Sequence, residues 1–133
     1  MYTRDALTDF EASYMETALW SETDDVGNPL DGPGHDEELA EETIVRIKRD
    51  CESFNAKALP LFAAYNEGSD AASEFDMKPS RVAHDFWLTR NRHGAGFWDG
   101  DYPEPLGTQL TDLAHEFGEV NLYIGDDGKL YLA

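Results

Sequence analysis

Apolar residues recur at spacings of three and four along two long segments in the first half of the chain, which predicts amphipathic helices. Thr8 caps the first helix, because Glu11 three residues later completes a capping box, and this helix ends by Ser21. The second is predicted to open at Asp36, and its buried stripe comprises Ile44, Ile47, Cys51, Phe54 and Ala58. Pro60 lacks a backbone N–H, so we expect this helix to kink there or to restart.

Two further helices are predicted in the second half of the chain. Pro79 suits a first helical turn, where a missing N–H costs nothing, and the glycines at 94 and 96 should end that helix near Asn91. Its apolar positions repeat the helical spacing, at Val82, Ala83, Phe86 and Trp87. Gly118 suits the left-handed residue that follows a helix, and it comes after the last predicted stripe, which is Leu106, Leu110, Leu113, Ala114 and Phe117.

The hydrophobic pattern changes from helical spacing to strict alternation after Gly118. Residues 119–124 and 129–132 alternate on either side of a Gly-Asp-Asp-Gly turn, which predicts a β-hairpin. Two strands alone are marginal in water, so residues 96–99 are predicted as a third strand that returns Phe97 and Trp98 to the core.

The predicted fold is therefore α+β: a helical body with a small C-terminal antiparallel β-hairpin or three-stranded sheet. We expect a single domain over residues 1–133, because the chain is of ordinary single-domain length and shows no internal repeat. Residues 21–35 are rich in Asp, Gly and Pro without periodicity, which predicts an exposed acidic loop.

The 28 acidic residues outnumber the 10 basic ones and give a formal net charge of −18. Residues 1–45 carry 13 acids against one base, whereas residues 46–92 carry seven acids against eight bases. Such a surface repels nucleic-acid phosphates, so direct binding of nucleic acid is disfavoured. It attracts a basic protein surface instead. Solubility, or adaptation to a salt-rich host, is the alternative explanation of the acidity.

The cysteine content and the hydropathy of the chain indicate its compartment. Cys51 is the single cysteine, so no intramolecular disulfide can form, and its place in a helical stripe predicts a buried thiol. The N-terminus has no apolar signal segment, and no stretch is long and apolar enough to cross a membrane. We therefore expect a soluble, cytoplasmic protein.

Side chains that could carry chemistry are densest between Arg81 and Asp101. No metal is predicted, because the histidines and carboxylates of this stretch match no known ligand spacing, and no cofactor motif is present. Adjacent helical residues point about 100° apart, so His84 and Asp85 are not expected to face one another, and Asp85 is expected to pair with Arg81 or another nearby arginine. An acid–base or anion-binding site would use three residues of the stretch, His84, Arg90 and His93.

Two stretches of the chain resemble known sequences. The run HDFWLTRNRHGAGFWDGD at residues 84–101 and the C-terminal run LYIGDDGKLYL are similar to segments of small acidic proteins carried by bacteriophages and related mobile elements. The resemblance implies a phage-type protein that acts in the host cytoplasm. It brings no activity and no catalytic residue with it.

The acidity and this resemblance together predict an acidic protein-binding module. It would imitate nucleic-acid phosphates and so inhibit a host defence or DNA-processing protein. The residues predicted to bind the partner lie in the 21–35 loop and at the start of the second helix: Asp24, Asp25, Asp31, Glu37, Glu38, Glu41 and Glu42. The alternative is a small enzyme, or a protein that binds a nucleotide or another small ligand, with its site between Arg81 and Asp101.

Overall fold

A computed structural model describes residues 6–35, 37–68, 75, 77–93, 95–98 and 101–133. Within these residues the chain forms four helices and two short strands: α1 (Asp9–Ser21), α2 (Glu41–Glu67), α3 (Pro79–Arg90), α4 (Leu106–Glu116), β1 (Leu122–Ile124) and β2 (Leu130–Leu132). The strands pair as an antiparallel hairpin, so the predicted α+β fold with a C-terminal hairpin is confirmed. No helix of the described residues is long and apolar enough to span a membrane.

The capping box at the start of α1 forms as predicted. Thr8 Oγ1 accepts the N–H of Glu11 at 3.2 Å, and Glu11 Oε1 accepts the N–H of Thr8 at 2.9 Å. These two bonds satisfy donors that the first helical turn leaves without a partner. The helix ends at Ser21, whose hydroxyl oxygen accepts the indole N–H of Trp87 at 2.8 Å and so ties α1 to α3.

The second helix begins later than the sequence predicted. Its N-cap is Ala40, so Glu37 and Glu38 precede the helix instead of forming its first turn. The predicted start, Asp36, lies outside the described residues. The cause is tertiary: Leu130 in β2 donates its N–H to Glu38 O at 2.8 Å and accepts the N–H of Ala40 at 3.1 Å, which holds this segment extended beside the hairpin.

The buried face of α2 is the predicted one, but the helix does not restart at Pro60. Helix α2 continues through Pro60 to Glu67, so the restart, which was one of two predicted alternatives, does not occur. Ala56 lies four residues earlier and is exposed like Pro60, so water can satisfy the carbonyl that loses its N–H donor. The predicted stripe lies in the core, with Ile44 partly buried and four residues fully buried: Ile47, Cys51, Phe54 and Ala58.

Helix α3 supplies the centre of the hydrophobic core. Four of its side chains are fully buried as predicted, namely Val82, Ala83, Phe86 and Trp87. The ring of Phe86 stacks on Phe54 of α2 at 4.0 Å between centroids, and Trp87 meets Tyr14 of α1 edge-on at 5.3 Å. Burying several large rings in one place removes much apolar area from water, so these contacts stabilise the packing of α1, α2 and α3.

The segment after α3 is a turn, and the third strand predicted at residues 96–99 is not formed by residues 96–98, which are the ones described. Gly96 has a φ of 142°, which glycine adopts without strain. Phe97 donates its N–H to Thr89 Oγ1 at 3.1 Å and is buried, as predicted. Trp98 is 55% exposed, so its predicted return to the core is wrong. The hairpin finds its neighbour in the segment ahead of α2 instead.

The end of the chain follows the prediction closely. Gly118 has a φ of 74° just after α4, where a left-handed residue was expected. Tyr123 pairs with Tyr131 in the hairpin register, while Leu122 and Leu130 are buried on its other face. The alternation of apolar and polar positions therefore gave both the strands and their inner face.

The loop at residues 21–35 is exposed along most of its length, as predicted, but it is locally organised. Leu30 is buried and anchors the loop to the core. Asp24 Oδ1 accepts the backbone N–H groups of two residues further along the loop, Val26 at 3.1 Å and Asn28 at 2.9 Å. The loop is thus fixed both by an apolar anchor and by a side-chain turn.

Candidate functional site

Acidic side chains from opposite ends of the chain meet beside the hairpin turn. The backbone pairing of Glu38 with Leu130 places the segment ahead of α2 along β2. This segment and the turn border an open surface groove of about 450 Å³. It is lined by Glu37, Glu38, Asp127, Gly128 and Lys129. We call it the acidic groove. It contains three carboxylates and a single ammonium group.

The hairpin turn contributes a side chain to this groove that the sequence did not predict. Asp127 Oδ2 accepts the Tyr131 hydroxyl at 2.6 Å, and its Oδ1 accepts the N–H of Lys129 at 3.0 Å. The bond from Tyr131 lowers the pKa of Asp127, and the same bond raises the pKa of Tyr131 to about 12. Two adjacent aspartates in a turn are a visible acidic signal, but only the folded chain shows that one of them, Asp127, lies beside the acids ahead of α2.

His35 joins two of the acids that were predicted to bind a partner. Its Nε2 lies 2.8 Å from Asp24 Oδ2, and its Nδ1 lies 2.6 Å from Glu37 Oε1. Ionised carboxylates only accept hydrogen bonds, so both contacts form together as hydrogen bonds when the imidazole is protonated and both ring nitrogens donate. The bonds to Glu37 and then to Asp24 raise the pKa of His35. Asp24 and Glu37 are thereby partly neutralised within the protein itself.

The other predicted partner-binding acids are exposed but do not form one cluster. Glu38 lies in the acidic groove, and Glu41 and Glu42 occupy the first turn of α2, where negative charge suits the helix dipole. Asp25 and Asp31 project from the 21–35 loop, and no contact between described residues joins them to the groove. Of the exposed acids in the predicted set, Glu38 is therefore the one that lines the groove, with Glu41 and Glu42 following it closely along the chain.

The alternative site contains one contact that the sequence argued against. His84 Nδ1 lies 3.0 Å from Asp85 Oδ1, so the prediction that these side chains do not face one another is wrong. The two Cα–Cβ bonds point apart on the helix, but the side-chain rotamers turn the ring and the carboxylate towards each other. Asp85 is nearly buried and accepts the Tyr102 hydroxyl at 2.7 Å, and its predicted pairing with Arg81 is present at 4.0 Å. Trp20 stacks against the His84 ring at 5.8 Å.

The structure does not bring His84, Arg90 and His93 together. Arg90 is 1% exposed and makes four hydrogen bonds, to Tyr14 Oη, Asp50 Oδ2, Phe117 O and Gly118 O. Its guanidinium holds the core together and is not placed to contact a ligand from solvent. His93 is half-buried and donates its backbone N–H to Leu88 O at 2.9 Å, with no hydrogen bond from its ring to His84 in the described part of the chain.

Neither a metal site nor a similarity to known proteins identifies a further functional residue among those described. Among the described residues no group of three or more histidine, cysteine, aspartate or glutamate side chains is placed to hold a metal ion. Comparison with protein-family models, with curated proteins and with solved structures gave no match. These comparisons therefore bring no function to this chain.

Proposed function

We propose that this protein is an acidic protein-binding module that engages the basic surface of a nucleic-acid-handling protein. The observation that supports it is the acidic groove, where Glu37 and Glu38 lie beside Asp127 from the opposite end of the chain. Carboxylates held on a fixed surface compete with phosphates for a basic cleft. The net charge of −18 also speeds association with a cationic partner.

The backbone beside the acidic groove is held before any partner arrives. Leu130 O accepts both the N–H of Ala40 and the Thr43 hydroxyl, the latter at 2.7 Å, and Leu130 N–H is bonded to Glu38. Groups that are already ordered lose less conformational entropy on binding, so more of the electrostatic attraction remains as affinity. This supports a surface whose carboxylate spacing is set by the fold.

The class of partner follows from charge and from the sequence resemblance. Phosphate backbones are repelled by this chain, so its target is the protein that binds nucleic acid and not the nucleic acid itself. From the resemblance noted for residues 84–101 of the sequence, we further propose that this target is a host defence or DNA-processing enzyme in the host cytoplasm. Inhibition would follow directly, because the acids occupy the cleft that phosphates need.

The test compares two variants with the same net charge. Glu38→Gln, Glu41→Gln and Glu42→Gln together neutralise the accessible acids at the groove and the first turn of α2. Glu52→Gln, Glu67→Gln and Glu116→Gln together neutralise three exposed acids elsewhere on α2 and α4. A partner is captured from a bacterial lysate and identified, and its association rate with each variant is then measured, together with displacement of duplex DNA from it.

We expect the first variant to associate about tenfold more slowly and the second to stay within about twofold of the parent, because steering depends on charge near the contact. Association of the parent should slow steeply as salt shortens the Debye length below about 8 Å. Equal slowing of both variants would mean that only total charge matters. Unchanged rates in the first variant would contradict the proposal.

A second candidate function rests on the His84–Asp85 contact. His84 Nδ1 is bonded to Asp85, whereas its Nε2 makes no hydrogen bond to any described residue. The His84 side chain is 41% exposed, so Nε2 is open to solvent. This arrangement suits a proton acceptor in a small enzyme or a ligand-binding site. His84→Ala should leave capture of the partner unchanged under the first proposal. Loss of partner association or of DNA displacement in His84→Ala, with both unchanged in the triple Gln variant at 38, 41 and 42, would favour this second function.

A further inference from the structure

A second open cavity lies on the solvent face of the hairpin. Its volume is about 520 Å³, and it is lined by Tyr123, Ile124, Gly125, Asp126, Asp127 and Tyr131. We call it the tyrosine pocket. It shares Asp127 with the acidic groove, so the two cavities adjoin and a single partner can contact both.

Two stacked aromatic rings form one wall of this pocket. Tyr123 and Tyr131 lie opposite one another across the strands, with ring centroids 5.8 Å apart and planes inclined by 25°. Gly125 permits this arrangement, because a Cβ at that position would overlap the Tyr131 ring. Tyr123 is 45% exposed. The electron-rich face of an exposed tyrosine attracts cations.

The carboxylates at the rim of the pocket differ in their availability. Asp127 is held by the Tyr131 hydroxyl and by the N–H of Lys129. Asp126 is exposed and makes no hydrogen bond to any residue that the structure describes. The pocket therefore combines an oriented carboxylate, a free carboxylate and an aromatic wall within one cavity.

We propose that the tyrosine pocket binds an arginine side chain of the basic partner. A guanidinium group is planar, so it can stack on Tyr123 while its N–H fork pairs with the Asp126 carboxylate. A lysine ammonium lacks the plane and the fork and is more strongly hydrated, so it fits less well. The inference rests on the proposed function, because it names the anchor of the same basic partner.

A second copy of this chain is a poorer occupant of the pocket. Two molecules that each carry a net charge of −18 repel one another as they approach. The rim of the pocket is itself acidic, which would place like charges in contact at a symmetric interface. A basic partner removes this repulsion, and charge complementarity therefore selects it.

The test uses three short peptides of equal length, built on arginine, on lysine or on citrulline, which has the shape of arginine without its charge. Binding is followed by the backbone amide signals of residues 123–127 in an NMR titration. We expect the arginine peptide to shift these signals and to bind about tenfold more tightly than the lysine peptide. The citrulline peptide should shift none of them.

Variants of the pocket distinguish the contributions of the Tyr123 ring, the Tyr123 hydroxyl and the Asp126 charge to binding. Tyr123→Phe keeps the ring and should bind the arginine peptide like the parent, whereas Tyr123→Ala should bind it about tenfold more weakly. Asp126→Asn keeps the shape of the side chain and should also weaken binding. The spectra of the unbound variants show whether the hairpin still forms, and the comparison between the three peptides on the parent protein needs no variant.

Several outcomes would overturn the assignment of the pocket. Equal affinity for arginine and lysine peptides would remove the selectivity, and absence of binding would remove the site. Self-association in sedimentation that Tyr123→Ala abolishes would give the pocket to a second copy. Peptide-induced shifts confined to residues 38–42 would reject the pocket while leaving the acidic module intact. Selective arginine binding, with partner association indifferent to the Glu38, Glu41 and Glu42 changes, would keep the pocket and reject the proposed function.

Discussion

Arg90 Nη1 lies 3.0 Å from Asp50 Oδ2 inside the core, and this ion pair joins α3 to α2. The same nitrogen donates to Tyr14 Oη at 2.9 Å, so a residue of α1 belongs to the network as well. A buried charge is tolerable only when it is paired and hydrogen-bonded, and Arg90 meets both conditions, because each of its guanidinium nitrogens donates at least one hydrogen bond. This explains why an arginine lies among the apolar side chains of α3.

Removing Arg90 should therefore destabilise the protein strongly. Arg90→Met leaves Asp50 and Tyr14 without their main partner, and we expect a loss of about 3–5 kcal/mol in the free energy of unfolding, measured in urea. Arg90→Lys should recover little, because an ammonium cannot match the forked geometry. A loss below about 1 kcal/mol for Arg90→Met would show that the pair does not hold the helices together.

The buried and the exposed tryptophan of the Arg81–Asp101 stretch should respond differently to truncation. Trp87 is fully buried, so Trp87→Ala should cost about 3–5 kcal/mol of stability through lost apolar contact and a cavity. The matched control is Trp98→Ala, which removes a 55% exposed ring and should stay within about 0.5 kcal/mol of the parent. Thermal unfolding of both variants checks this, and equal losses would contradict the burial of Trp87.

Gly96 should tolerate substitution less well than other glycines with positive φ. A Cβ at Gly96 would overlap Thr89 Oγ1, the atom that accepts the N–H of Phe97, so Gly96→Ala adds a clash to an unfavourable backbone conformation. We expect it to cost clearly more than about 1 kcal/mol. Gly27→Ala provides the control, because Gly27 also has positive φ and its Cβ would meet no atom within 4 Å. Equal costs in denaturant titration would show that steric overlap at Gly96 is unimportant.

His35 should contribute to stability over a limited range of pH. Its pKa is raised in the folded protein, so its contribution is complete below the unfolded value of about 6.5 and is lost as pH rises through the folded value. The pKa of Asp24 is lowered, first by the N–H of Asn28 and then by His35, so its contribution is lost only as pH falls through that lowered value. The two carboxylate contacts therefore support the loop between these limits.

Two measurements check this behaviour. An NMR titration of the imidazole signals should give His35 a pKa above about 6.5. Stability of His35→Ala should fall below that of the parent at mildly acidic pH, and the difference should shrink as pH rises through the measured pKa. A titration of His35 at or below its ordinary value would show that the contacts with Asp24 and Glu37 do not hold in solution.

The sequence by itself determined the elements that depend on near neighbours. The capping box of Thr8 and Glu11, the buried stripe of α2 and the hairpin around residues 125–128 all form as predicted. The pairing of Arg81 with Asp85, one helical turn apart, is of the same kind. Such features depend on residues only a few positions apart, and their geometry is fixed by the regular spacing of helices and strands.

Tertiary structure decided the features that depend on distant partners. Leu39 continues an apolar pattern that suits the helix, yet its backbone lies extended because Leu130 offers hydrogen bonds there. The pairing of this segment with Leu130 makes α2 start later than predicted. It also takes the place of the expected third strand and brings Glu38 to the hairpin turn. Arg90 lies at the C-terminal end of the apolar stripe of α3, where its long side chain could reach solvent, and hydrogen bonds to Asp50 and Tyr14 hold it in the core instead. Contacts such as that between Glu38 and Leu130 join residues far apart in the chain. They arise from the packing of all elements together, and no local sequence pattern encodes them.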